Sequence, residues 1–164
     1  MRFVKKSELY SLNRSTYVNL RWIAFIGQIS SIFVVEFILK FEFNYLPCLG
    51  VIFLGVLTNV YLQFKIRENQ INNTLSLFYL VYDILQLGFL FFLTGGITNP
   101  FIFLLIIPAI FSSQYLSIKS SVILVFFTVL ILIILTFFYF KLPHPKEFHF
   151  HVPDYYLYAI PVSI

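Results

Sequence analysis

Between Leu75 and Thr94 the chain reads LSLFYLVYDILQLGFLFFLT, and GGITNPF follows at once through Phe101. The first run holds no Lys or Arg, and its one carboxylate is Asp83. A helix of that length rises about 30 Å, enough to cross the hydrocarbon of a bilayer. In lipid each backbone N–H and C=O must be satisfied within the segment, which a helix does. The run therefore predicts a membrane-spanning helix. Its ending predicts a tight turn. Gly95 and Gly96 tolerate the left-handed backbone that closes a helix, Asn99 suits the cap of the next helix, and Pro100 suits its first position.

Outward from that run the pattern repeats. Trp22–Leu39, Leu46–Phe64, Pro100–Leu116 and Ser120–Phe140 are also apolar and free of Lys and Arg. A sixth run starts at Tyr155 and ends at Ile164, long enough for about half a bilayer. The expected fold is an all-α polytopic membrane helix bundle, with five complete transmembrane helices and a sixth that is truncated. Residues 1–21 form a polar N-terminal segment and residues 22–164 the membrane domain. Composition agrees: 60% of the chain is hydrophobic and 11% charged, against about 25% charged in soluble domains. So few charges exclude a water-soluble globule, and the hydrophobicity excludes disorder. The single Cys48 excludes a disulfide framework within the chain. The net charge of +4 has no basic cluster behind it, so nucleic acid is not an expected partner.

The basic residues orient the bundle. Arg2, Lys5, Lys6, Arg14, Arg21, Lys65, Arg67 and Lys119 fall on one side, and Lys40, Lys141 and Lys146 on the other. The expected topology is a multi-pass protein of the bacterial cytoplasmic membrane with its N-terminus in the cytoplasm. A completed sixth helix would return the chain there.

Ionisable groups within spans are functional candidates by default. Tyr79, Asp83, Gln86 and Leu90 follow an i, i+4, i+7, i+11 stripe on one face, which should point into the bundle. Two readings of Asp83 stand side by side: a proton-exchanging group, or a hydrogen bond to Asn59 or Gln63 that holds helices together. Glu36 lies near the outer end of the first span, where it can reach water and Lys40 at i+4. Pro108 should kink the fourth span. His144, His149 and His151 all fall in the loop before the sixth run, outside any span, which disfavours a haem bundle. Their spacing matches no standard zinc pattern, so no metal is expected.

The turn at Gly95–Phe101 reads in two ways. It is a sufficient helical hairpin in its own right. It also leaves amides and the positive dipole end of the next helix beside a glycine-lined hollow. A ring carbonyl could accept hydrogen bonds there, and Phe101 could lie against the ring.

Gly95-Gly96-Ile97-Thr98-Asn99-Pro100-Phe101 resembles the GGxxNPF heptapeptide of RegB/PrrB-type redox-sensing histidine kinases, in sequence and in its position between the third and fourth spans. Tyr82–Leu87 is similar to that family's third helix, and Leu20-Arg21-Trp22 through Gln28 to the entry of its first. The resemblance implies a membrane sensor domain that binds ubiquinone at Gly95, Gly96, Asn99, Pro100 and Phe101. It further implies a homodimer, signalling through helix 6 to a cytoplasmic kinase, and a response regulator that receives the phosphoryl group. Asp83, Gln86 and Glu36 remain candidates for proton coupling or packing. This chain has no phospho-accepting histidine box and no ATP site, so ATP and catalytic residues belong to a kinase region outside it. Two other classes compete: a small transporter or channel, and a quinone-handling subunit of a respiratory complex. The transporter reading lacks an internal repeat. A solute-flux assay would test it, and co-purification with redox partners would test the second.

Overall fold

Asn13, Asn44 and Asn72 each stand just before an apolar run, and each begins a helix by accepting a backbone N–H with its side chain. In the computed structural model, which describes residues 11–41, 43–66 and 68–141, these caps open α1 (Arg14–Phe33), α2 (Tyr45–Lys65) and α3 (Asn73–Leu93). α1 runs on through a wider π turn at Val34–Ile38, giving a rod of 25 residues. Ser117 caps α5 (Ile118–Phe137) in the same manner. These four helices are long and apolar enough to cross a membrane.

The fourth predicted span takes a different form. Pro108 has no N–H to give to Leu104 O, so an α-helix through it loses a bond and kinks or breaks. The chain instead winds as a 3-10 helix over Ile102–Ile106, and α4 (Ile107–Tyr115) starts afresh with the proline in its first turn. The expected kink is thus a change of helix type, and the described part of this segment is a shorter apolar helix, Ile102–Tyr115.

One other boundary differs from the hydropathy reading. α1 begins at Arg14, two turns before Trp22, so Arg21 lies inside the helix and not in a leader. The all-α expectation also meets a small exception. Ser11–Asn13 (β1) and Gln70–Asn72 (β2) pair antiparallel, with Leu12 opposite Ile71. Both of those side chains are buried. Arg14 seals this ribbon: its N–H donates to Asn69 O at 3.0 Å, and its guanidinium donates to Gln63 O at 3.0 Å and to Ile66 O. A cation on the last carbonyls of α2 suits the negative end of that helix.

The helices run up and down between a ribbon end and a hairpin end. α3 is the most buried span and packs on α2, α4 and α5, while α1 leans on α2 and is the least buried. At the ribbon end, Asn73 accepts from Ser117 N–H at 2.9 Å and donates to Ser120 Oγ at 2.8 Å, joining the starts of α3 and α5. The outward faces stay apolar: Ile23, Ile26 and Phe33 on α1, and Val122, Phe126 and Val129 on α5, are exposed. Contiguous apolar surface on that scale belongs in lipid. The fold is a helical membrane bundle. The sixth run (155–164) and His144, His149 and His151 lie outside the described residues.

Candidate functional site

Polar chemistry inside the bundle gathers at two levels. The first is a junction of α1, α2 and α3, two turns in from the ribbon end. Arg21 Nε lies 3.0 Å from Asp83 Oδ1, and the Tyr17 hydroxyl donates to Asp83 Oδ2. Arg21 also donates to Thr58 Oγ1 at 2.8 Å and to Asn59 Oδ1 at 3.5 Å, while Asn59 Nδ2 donates to Val18 O at 3.2 Å. The rings of Tyr17, Phe25, Tyr79 and Tyr82 surround the guanidinium, with centroids 5.5 to 5.8 Å from its carbon. Their negative faces favour a cation that has left water. Arg21 is 4% exposed and Asp83 15%.

Asp83 therefore pairs with Arg21 and Tyr17, and not with Asn59 or Gln63 as the sequence suggested. The stripe itself faces inward, since Tyr79, Gln86 and Leu90 are all buried. One turn beyond Asp83, Gln86 donates to Gln28 Oε1 at 3.4 Å and lies across Gly55, where a Cβ would come within 2.6 Å of its amide. Glycine at position 55 leaves the space that the Gln86 amide fills. Glu36 sits apart, in the π turn, in a hollow lined also by Lys40, Phe41, Phe43 and Asn44. Its Oε2 is buried and has no hydrogen-bond partner among the described residues, so the expected contact with Lys40 is one of proximity.

The second level is the hairpin Gly95–Phe101. Gly95 (φ 112°) and Gly96 (φ 54°) both take the positive φ that glycine alone adopts freely. A 3-10 turn follows at Gly96–Thr98. Asn99 then holds the loop together. Its Nδ2 donates to Thr94 O and Thr94 Oγ1, both at 2.9 Å, and its Oδ1 accepts the N–H of Phe101 at 2.9 Å. Ile102 N–H donates to Asn99 O at 3.0 Å, which puts Pro100 at the second position of a β-turn, where its fixed φ fits. Asn99 and Pro100 thus build a turn ahead of the 3-10 segment and do not start an α-helix. Gly95, Gly96 and Ile97 are buried, whereas Phe101 is 47% exposed on the outer surface.

The structure brings Gly95, Gly96, Asn99, Pro100 and Phe101 into one loop and leaves Asp83 elsewhere. The helix between Asp83 and Thr94 rises about 17 Å, too far for direct proton exchange with anything held at the hairpin. Participants not read from the sequence include Tyr17, Arg21, Thr58 and Tyr139, whose side chain abuts Gly96. A signal for the first two existed in Asn13-Arg14-Ser15-Thr16, a helix-start pattern ahead of the apolar run.

Helices with lipid-facing exteriors, a buried ion pair and a tied hairpin define a polytopic helical membrane domain. The chain belongs to the PilS-like transmembrane domain family, whose model matches residues 23–161. Over 110 residues it is 36% identical to the sensor histidine kinase RegB of Cereibacter sphaeroides. That match takes in 66% of this chain and 24% of the relative, so the chain spans about a quarter of the length of that protein. Both findings bear out the resemblance to a RegB-type membrane sensor region. No solved structure matches the chain.

Proposed function

We propose that this chain is the quinone-responsive membrane sensor of a histidine kinase, with the Gly95–Phe101 hairpin as its ligand site. The observation that carries the reading is the GGxxNPF hairpin itself, a loop after α3 with Phe101 about half exposed, in a chain of this family. Gly95 and Gly96 offer backbone without side chains to a flat ring, and the exposed Phe101 face can stack on it. Both Asn99 amide hydrogens are directed to Thr94. Asn99 contacts a ring carbonyl by giving up one of those bonds, which loosens the tie between the loop and the end of α3. Bound quinone supplies the redox signal, and its oxidised and reduced forms differ in how well they accept that bond. Such a ligand biases the bundle only by its differential affinity for two packings.

The signal leaves through α5 and helix 6 toward a cytoplasmic kinase region beyond this chain, where ATP binds and from which a response regulator takes the phosphoryl group. The working unit is a homodimer in the bacterial inner membrane, with the N-terminus in the cytoplasm as the basic residues suggest. To test the site, Asn99→Ala is introduced into the full-length protein in liposomes, and suppression of autophosphorylation by added ubiquinone is measured. Loss of a carbonyl contact worth about 1.4 kcal/mol raises the half-suppressing concentration roughly tenfold. An unchanged concentration removes Asn99 from the site.

A further inference from the structure

The hairpin is covered, and the cover belongs to the chain. A Cβ at position 96 would lie 2.4 Å from Tyr139 Cβ, 2.5 Å from Tyr139 Cγ and 2.8 Å from Leu135 O. Position 96 therefore needs glycine twice over, for its φ of 54° and for the close approach of Tyr139. Tyr139 is not part of α5. The helix ends at Phe137, Phe138 turns extended (φ −129°), and the chain crosses back to the end of α3. There Phe140 N–H donates to Phe92 O at 2.8 Å, and the Phe140 ring meets Phe92 edge-on at 5.2 Å. Phe138–Phe140 is thus a strap laid over Gly96, held at its far end by one backbone hydrogen bond and one ring contact.

We propose that Tyr139 is a built-in plug of the hairpin: its side chain occupies the surface of Gly96, and a flat ring bearing carbonyl oxygens competes with it for that surface. The inference rests on the reading of the hairpin as a quinone site and adds its regulation. An aromatic side chain on a glycine surface is the internal counterpart of an aromatic ligand on the same surface. Displacing it requires no unwinding of α5, because the strap is already extended. The displaced strap takes with it the connection from α5 to the residues after Lys141. Occupancy of the loop becomes a change in how that connection is held, with no hinge needed inside a span.

The test separates the plug from the ligand. Full-length protein in liposomes carries Cys48→Ser, which removes the one thiol of this chain, with every cysteine outside this chain likewise changed to Ser, and Ile97→Cys as a reporter at a fully buried position next to Gly96. Thr98→Cys is a second reporter should the first fail to fold. The rate of maleimide labelling is measured with Tyr139 native, Tyr139→Phe and Tyr139→Ala. The plug predicts that Tyr139→Ala speeds labelling at least fivefold while Tyr139→Phe, which keeps the ring, stays within twofold of native. Equal rates for native and Tyr139→Ala overturn the proposal, whatever the ligand does. A photo-crosslinkable ubiquinone analogue is then titrated on the same proteins without the reporter. Competition predicts that Tyr139→Ala lowers the half-saturating concentration by about fivefold. Weaker labelling in Tyr139→Ala overturns the competition and makes Tyr139 a ligand contact. Absence of hairpin labelling in every variant, with the maleimide difference intact, refutes the quinone reading and leaves the plug standing.

Discussion

The two ends of the bundle are held by different physics. Near the ribbon end, long side chains meet across three helices: Arg21, Asp83, Tyr17, Thr58 and Asn59 pair with one another away from water, Arg21 Nε through its charge contact with Asp83 and not through a hydrogen bond. At the hairpin end the ties are local and mostly backbone: Asn99 to Thr94, Thr98 N–H to Gly95 O, Asn99 N–H to Gly96 O, and one strap bond from Phe140 to Phe92. A buried charge network is stiff, because removing any one partner leaves another stranded in a low dielectric. A loop of glycines and short bonds can exchange partners one at a time at small cost. The contrast assigns anchoring to the first end and responsiveness to the second.

The largest expected effect comes from breaking the anchor. Asp83→Leu leaves Arg21 without its counter-charge among four aromatic rings and should destabilise the protein by about 3–5 kcal/mol. Arg21→Met should cost about as much. The double substitution Arg21→Met/Asp83→Leu removes both charges and should recover most of the loss, since a matched apolar pair is often as stable as a buried ion pair. Thermal unfolding in detergent, analysed as a double-mutant cycle, measures this. Additive losses would mean that the two residues do not act on each other and that the anchor is shape, not charge.

The anchor was half legible in the sequence. The inward stripe of α3 followed from a 3.6-residue period, and Asp83 stood out because a carboxylate in mid-span needs a partner. Its partner did not follow. Hydropathy treats Arg21 as a boundary, because a guanidinium is costly in lipid. The structure keeps it inside α1 by supplying a carboxylate, a hydroxyl, an amide and four rings from positions up to 62 residues away. No spacing rule joins residues 21 and 83. The hairpin was more legible, since glycine, asparagine and proline act on their own backbone. Even so, Asn99 and Pro100 made a turn and not a helix start: a 3-10 segment follows them, and the α-helix begins only at Ile107. Tyr139 was out of reach: nothing about a tyrosine at the end of an apolar run says that it lies on a glycine in another loop.

The second effect sharpens the contrast from the hairpin side. Gly96→Ala places a methyl group against Tyr139 and Leu135 O and forces alanine to a φ of 54°. The left-handed backbone costs about 1–2 kcal/mol and overpacking a similar amount, so a total of about 2–4 kcal/mol is expected. The damage should be local. Hydrogen exchange should rise for the amides of Thr98 and Asn99 and of the strap at Phe140, while the amides of α1 and α2 around Arg21 keep their protection. Deprotection that spreads evenly through the bundle would show that the two ends are one cooperative unit.

The smallest effect asks whether charge or mere interhelical bonding stiffens the ribbon end. Asn73 supplies the neutral counterpart of the ion pair there, accepting from Ser117 N–H and donating to Ser120 Oγ. Asn73→Ala removes both bonds, yet Ser117 and Ser120 stay 3.1 Å apart and can satisfy each other in part. Interhelical hydrogen bonds in membrane proteins are worth about 0.6 kcal/mol each on average, so the variant should lose roughly 1 kcal/mol. Asn73→Asp keeps the acceptor for Ser117 and should lose about half of that, read in the same unfolding assay. A loss for Asn73→Ala as large as that for Asp83→Leu would remove the distinction between a charged anchor and a neutral tie. The stiffness of that end would then belong to its helix starts and not to the buried pair.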